Sequence, residues 1–349
     1  MSIIKKQKLI IAGPCSAESE KQVIQTAVEL KKNDTIDILR AGVWKPRTKP
    51  GGYEGSGENG LKWLKKAKEA TGIPIATEVA KPHHVELAIN HGVDVVWIGA
   101  RTTANPFSVQ EIADELKNSA LEVLIKNPIN ADINLWIGAY ERVKLSGLRN
   151  IGLIHRGFTS FGNPDFRNAP FWQIPIEMKR LFPDTPMICD PSHIGGKRYR
   201  LEQIIQKSLN LDYDGLMIES HHDPDSALTD KEQQIKPQAL NDLFERIQWR
   251  SKSIDKTEFT DKINLLREEL KELDDELLSI FFARMKISNN IGKLKKENNL
   301  AILQTKYWDE RLKYLMAIGK KNNLDEQFLK TVLETIHLES IRFQNDAKI

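Results

Sequence analysis

Four side chains spread over the first 230 positions have the donor chemistry of a divalent-cation site: Cys15 in AGPCS, His193 in DPSHIGGKR, Glu219 in GLMIES and Asp230 in SALTD. A thiolate, an imidazole and two carboxylates make a mixed soft and hard set that suits Mn, Fe, Co or Zn. No two of them are close enough along the chain to form a local metal motif. Taken singly they read as a buried thiol, a capping histidine and solvated acids, so the set has meaning only in a fold that gathers strand ends.

A second set is cationic. Lys45, Arg47 and Thr48 stand in WKPRTKPGG, Arg101 in GARTTANP, Lys126 in KNP, and His155 and Arg156 in HRGF, with Glu78 in PIATEV and Asp190 in DPSH. Each lies at or just past the end of a strand-like run. Arginine and lysine gathered at strand ends offer a receptor for small molecules that carry both phosphate and carboxylate. The turns at the opposite ends (TG, HG, SG) hold no comparable set.

The elements that must position these residues are eight apolar runs, at 8–13, 36–42, 74–79, 93–100, 121–127, 151–157, 186–190 and 214–220. They alternate with amphipathic stretches such as KQVIQTAVELKK and LEQIIQKSLN. A spacing of about 29 residues is the size of a βα unit. Apolar runs without clean alternation indicate a parallel sheet covered on both faces. Eight units closed by the helical stretch KPQALNDLFERIQ predict an α/β fold, a (β/α)8 TIM barrel, whose C-terminal strand ends converge on one face. An open doubly wound sheet is the competing architecture. As a dinucleotide binder it would show a GxGxxG turn after the first strand, and the sequence has none there.

The 349 residues can hold one barrel of about 250 and a small second domain. Basic and acidic residues nearly cancel, 51 against 48, which argues against a nucleic-acid-binding surface. Cys15 and Cys189 cannot build a disulfide framework and fit a reducing compartment. No apolar run approaches 18 residues and the leading LIIAG is too short for a signal segment, so the expectation is a soluble cytoplasmic protein without membrane or nucleic-acid partners.

The barrel is assigned to residues 1–249 and the polar, aperiodic RSKSIDKTEF (250–259) to a linker; residues 260–349 form the helical domain. There the apolar period predicts one helix from Thr260 or Asp261 to about Asn299 and two more at 305–321 and 325–345. The first would be about 60 Å long, more than two shorter partners can cover, which predicts a homodimer. A plain coiled-coil dimerisation tail is the competing reading.

AGPCS, KPRT, IGARTT, KN, HRG, DPSH, IES and Asp230 follow one another in an order that resembles the compact, metal-dependent 3-deoxy-arabino-heptulosonate-7-phosphate (DAHP) synthases, over residues 8 to about 248. The related 3-deoxy-octulosonate-8-phosphate synthases share the barrel and part of the cation set, with KANR where this chain has KPRT. The resemblance implies condensation of phosphoenolpyruvate with erythrose 4-phosphate. It makes Cys15, His193, Glu219 and Asp230 the ligands of one divalent ion, Mn foremost, with Fe, Co or Zn as alternatives. Arg101, Lys126 and Arg156 would hold phosphoenolpyruvate, and Lys45, Arg47 and Thr48 the aldehyde, with Lys45 near both. Glu78 would orient the attacking water. The N-terminal regulatory domain of many compact members is not expected, because the first strand begins by about residue 8.

In the helical part, Arg267, Arg284, Lys295, Ser340 and Gln344 resemble the all-α chorismate mutases, over about residues 260–346. The resemblance implies that Arg267 from a partner subunit and Arg284 bind the two carboxylates of chorismate, that Lys295 and Gln344 donate to its ether oxygen, and that Ser340 contacts substrate. Electrostatic preorganisation alone would drive the rearrangement to prephenate. The chain departs from the family at Gln304, Tyr307 and Trp308, where an Asp and an Arg-Glu pair are usual, so the hydroxyl-binding part of that site is built differently. The whole reads as a bifunctional enzyme of aromatic amino acid biosynthesis. Its two steps are not consecutive, which suggests feedback: prephenate or chorismate bound in the helical domain would change barrel activity. The competing reading makes the helical domain a non-catalytic module for dimerisation and prephenate sensing.

Overall fold

The computed structural model describes residues 2–32, 34, 36–46, 51–160, 165–251 and 257–348. The chain divides into two compact units, residues 1–252 and 253–349.

In the first unit eight parallel strands close into a barrel in sequence order: β1 (Leu9–Gly13), β2 (Ile38–Arg40), β3 (Ile75–Val79), β4 (Val95–Ile98), β5 (Glu122–Lys126), β6 (Ile151–His155), β7 (Met187–Cys189) and β8 (Gly215–Glu219). In register, Ile11 of β1 faces Ile38 of β2 on one side and Met217 of β8 on the other. The helices are α1 (Glu20–Lys31), α2 (Glu58–Thr71), α3 (Pro82–Asn90), α4 (Ala100–Thr103), α5 (Pro106–Leu116), α6 (Ile133–Leu145), α7 (Gln173–Leu181), α8 (Pro191–Gly195), α9 (Leu201–Asn210) and α10 (Pro237–Arg246). Local chemistry sets their ends. Asn105 caps α5 by accepting from the Phe107 and Ser108 amides, with Pro106 preset at the first helical position. The short helices α4 and α8 were not expected; both begin within two residues of a strand end and carry site residues.

The strands do alternate, although both faces are apolar. Leu9, Ile11, Ile38, Ala76, Val95, Trp97, Leu124, Ile154, Ile188 and Met217 fill the barrel interior, while neighbours such as Ile10, Val96, Val123 and Ile125 pack outward against the helices. The N-terminal end of the barrel is plugged by the chain's own start. Ile4 is fully buried among the interior residues, and the amides of Ile3 and Ile4 donate to the Glu122 carboxylate at 2.9 and 2.8 Å.

The second unit contains α11 (Thr257–Glu297), α12 (Thr305–Lys321) and α13 (Glu326–Asp346). α11 begins three residues before the expected cap, and its 41 residues span about 60 Å. Among the described residues, no helix of the chain is long and apolar enough to cross a membrane.

Candidate active sites in the barrel and the helical unit

The period of two along a strand builds the barrel site. Two positions beyond the last inward apolar residue, on the same face, come Arg40 after Ile38, Glu78 after Ala76, Lys126 after Leu124, Arg156 after Ile154, Asp190 after Ile188 and Glu219 after Met217. Cys15 follows Ile11 by two such steps across Gly13. That glycine has φ +149°, and a Cβ there would come within 2.1 Å of the Arg40 carbonyl oxygen, so no larger residue lets β1 pass β2 so closely. A packed apolar floor thus carries a ring of charged groups at the C-terminal mouth.

On one side of the ring, donor atoms of Cys15, Glu219 and Asp230 all lie within 4.8 Å of one another. Asp230 adopts a left-handed φ of +48°, a conformation that aspartate tolerates better than most side chains and that here turns its carboxylate toward Cys15 Sγ, 3.4 Å away. His193 lies at the edge of this triad, with Nε2 3.7 Å from Glu219 Oε1. Asp190 caps α8 through the His193 amide and also meets Nδ1 of the same histidine at 3.0 Å, which leaves Nε2 as the free ligating nitrogen.

The donor set fits a divalent cation. Glu219 Oε1 is buried without a hydrogen-bond partner among the described residues, and burial, then the charge of Glu219, push the Cys15 thiol up to about 12 against the pull of Lys45. Such a thiol becomes a thiolate ligand when a cation displaces its proton. Burial would raise Asp230 too, but Arg167, His193 and Lys45 hold it down at about 2.

Cations interleave with the acidic groups. Lys45 Nζ lies 3.0 Å from Cys15 Sγ, and Lys126 Nζ 2.8 Å from Asp190 Oδ2. Arg40 is 1% exposed; its Nη1 lies 3.5 Å from Glu219 Oε1, Nη2 donates to the Cys15 carbonyl, and the guanidinium lies over the Trp97 ring. Its Nε and Nη1 have no hydrogen-bond partner among the described residues, so this deep guanidinium, though paired with Glu219, keeps donors for an anion. Arg156 donates to Asn168 Oδ1 at 2.7 Å; burial, with repulsion from Arg167 and Arg101 against the attraction of Asp190, lowers its guanidinium to about 10. Arg101 projects from the first turn of α4, exposed. Glu78 is fixed by the Trp97 indole, which donates to Oε2 at 3.0 Å. A cavity of about 620 Å³ opens beside Asp230, lined among others by Arg167, Lys197, Arg200 and Gln233.

In the helical unit, Lys295 Nζ donates to Gln344 Oε1 at 3.0 Å and to the Ile302 carbonyl. Gly292 makes this approach of α11 and α13 feasible, since a Cβ there would fall 2.5 Å from the Gln344 carbonyl oxygen. Ser340 is buried and bonds back to the Ile336 carbonyl at 2.9 Å. Arg284 and Arg267 are exposed on α11, the latter 3.4 Å from Asn264 Oδ1.

Against known proteins, the profile of the DAHP synthetase I family matches residues 3–257. The chain belongs to the DAHP synthetase I family. A second profile, chorismate mutase type II, matches residues 266–345 of the same chain. A phospho-2-dehydro-3-deoxyheptonate aldolase of Thermotoga maritima is 29% identical over 238 residues, covering 68% of each chain. The crystal structure of a Thermotoga maritima protein of that name, also titled DAHP synthase, aligns with TM-score 0.61 at 28% identity over 68% of this chain and 67% of the other. A 2-dehydro-3-deoxyphosphooctonate aldolase of Geotalea uraniireducens is 29% identical over 253 residues, 68% of this chain and 90% of its own.

Within this DAHP synthetase I barrel, the mouth gathers Cys15, Lys45, Glu78, Lys126, Arg156, His193, Glu219 and Asp230, while Arg47 and Thr48 lie outside the described residues. One strand-end residue is misplaced by the sequence reading. His155 points outward between sheet and helices, where its nitrogens meet the Pro170 carbonyl at 2.7 Å and the Tyr213 hydroxyl at 2.9 Å. It occupies the opposite face from Arg156, as adjacent strand residues must. Arg40 and Arg167 were missed. Arg40 shares the register of Glu78 and Lys126, a signal present in the sequence; Arg167 comes from an irregular segment and reaches Asp230 Oδ1 at 3.0 Å.

Proposed function

We propose that the chain is a bifunctional enzyme that condenses phosphoenolpyruvate with erythrose 4-phosphate to DAHP and phosphate, and rearranges chorismate to prephenate. The observation that carries the first activity is the ring of facing cations and carboxylates at one barrel mouth in a member of the DAHP synthetase I family. Arg101, Lys126 and Arg156, with Arg40 beneath, bind the phosphate and carboxylate of phosphoenolpyruvate. Lys45, Arg47 and Thr48 take the phosphorylated aldehyde. Two multiply charged anions repel each other, and the cations offset that repulsion and set the reacting carbons at attack distance. Carbon 3 of the enol attacks the aldehyde carbon, water oriented by Glu78 adds at carbon 2, and phosphate leaves with its bridging oxygen.

Cys15, His193, Glu219 and Asp230 would hold one divalent ion, Mn before Fe, Co or Zn, and such an ion supplies Lewis-acid polarisation of the aldehyde oxygen. DAHP formation by rigorously metal-free protein at the rate of the Mn-loaded enzyme would overturn the metal role. A second reading rests on the octulosonate aldolases among the relatives, which implies a five-carbon aldehyde phosphate instead. Comparing kcat/KM for four- and five-carbon aldehyde phosphates decides between them.

For the helical domain (260–349, after a 250–259 linker from a 1–249 barrel), the chorismate mutase type II match and the Lys295–Gln344 pair support the mutase reading. A homodimer would supply Arg267 of the second copy to Arg284, Lys295, Ser340 and Gln344. It is supported by the apolar row Leu266, Leu270, Leu273, Leu277 and Ile280, all exposed along α11. Prephenate is the proposed feedback ligand. Steady-state turnover of chorismate by the full chain tests the mutase; none at any protein concentration leaves the domain as a dimerisation and sensing module.

A further inference from the structure

Where chorismate mutases place a charged pair, this chain places Tyr307 and Trp308 on α12. Trp308 lies flat on His337 of α13, with ring centroids 3.8 Å apart and planes 5° from parallel. His337 precedes Ser340 by three residues and Gln344 by seven, so the three share one helix face. Burial first, then the charges of Arg284 and Lys295 on α11, lower the pKa of His337. The ring therefore shares its helix face with Ser340 and Gln344, two of the residues that resemble mutase substrate binders.

Two observations separate His337 from an ordinary packing residue. Its Nε2 is buried and has no hydrogen-bond partner among the described residues. A buried polar atom left unpaired carries a desolvation cost that an apolar ring in the same stack would avoid. The indole also fixes the plane of the imidazole, which limits the directions in which that nitrogen can form a bond.

We propose that His337, held by the stacked Trp308, binds the ring hydroxyl of the mutase substrate in place of the charged pair that Tyr307 and Trp308 replace. The proposal rests on the mutase reading and deepens it. An uncharged imidazole donates or accepts at Nε2 according to its tautomer, so it can serve a hydroxyl in either sense. The stacked indole covers one face of the ring, and substrate entry has to open the edge where Nε2 lies.

The test is a cycle of enzyme and substrate changes on the full-length chain. Chorismate and an analogue lacking the ring hydroxyl are each turned over by the parent, by His337→Phe, which keeps an aromatic ring in the stack, and by His337→Gln, which returns a polar group near the same point. The proposal expects the parent to favour chorismate. His337→Phe should lose about tenfold in kcat/KM for chorismate, mostly in KM, with little change for the analogue, the magnitude of one lost hydrogen bond. His337→Gln should recover part of the loss, and it serves alone if the Phe variant does not fold. Equal discrimination between the two substrates in parent and variants overturns the role of His337 and leaves the mutase standing. Absence of turnover by the parent overturns the mutase reading and this proposal with it.

Discussion

Lys126 Nζ and Asp190 Oδ2 meet at 2.8 Å inside the barrel mouth, while the same carboxylate holds His193 Nδ1. One buried acid therefore orients both the Lys126 ammonium and the His193 imidazole. Asp190→Asn keeps the size and removes the charge, and its cost should be about 10–100-fold in divalent-cation affinity, the range for loss of a carboxylate behind a ligating histidine. Calorimetric titration of Mn into variant and parent measures this, and equal affinity would refute the orienting role. Burial opposes the charged form of Asp190, but His193 and Lys126 outweigh it and set its pKa well below the ordinary 3.8. A depressed carboxyl contributes stability above its unfolded value and loses it as pH falls, so the stability gap between parent and Asn variant should be full at neutral pH and close only below about pH 4.

Chelation should separate the two activities. The metal-type cluster of Cys15, Glu219 and Asp230 lies in the barrel unit, whereas the proposed mutase residues Lys295, Gln344 and Arg284 lie in the helical unit. Removal of divalent ions is expected to abolish DAHP formation and leave chorismate turnover at its parent rate in the same sample. Cys15→Ala should reproduce that pattern with an unchanged far-UV circular dichroism spectrum. Parallel loss of both activities would contradict it.

Ile4 tests the plug. Its side chain is 0% exposed and packs with Leu9, Ile38 and Leu124. Ile4→Ala should cost about 2–5 kcal/mol, the range for emptying a buried aliphatic site, read as a lower urea midpoint of the barrel transition. A change below about 0.5 kcal/mol would mean that the N-terminal residues are an ornament on the barrel.

The exposed row on α11 tests the dimer. Leu273 and Leu277 are 59% and 48% exposed, one helical turn apart. Leu273→Asp with Leu277→Asp should convert a dimer to a monomer in light scattering and remove mutase turnover, because the second copy's Arg267 is lost. Synthase activity supplies the control for folding. A parent that is monomeric at micromolar concentration would end this proposal.

The strands were legible because apolar runs of β-branched residues recur at βα spacing, and all eight expected runs contain an observed strand. The mouth was legible at Lys126, Asp190 and Glu219, which lie at or beside the end of a run. Arg40 was harder to see because LRAG reads as continuous strand; only its two-residue step from Ile38 shows that it joins the ring. His155 was overcounted by the same neglect of register. Arg167 carries no periodic signal, since the segment that holds it is irregular and is placed by Asp230 and Gln233 on another loop. In the helical unit the sequence showed that Trp308 breaks the family pattern, but its stacking on a residue of another helix depends on tertiary packing.

With Ile4 packed into its N-terminal end and Trp97 in the apolar floor beneath the charged ring, the described barrel opens toward its C-terminal face. Arg40 and Lys126 lie deep in that mouth, 1% and 4% exposed, while Arg101 stands exposed at its edge. On the proposed reading, phosphoenolpyruvate held from Arg101 down to Arg40 would reach from rim to floor, and the phosphate it releases would leave through that same mouth.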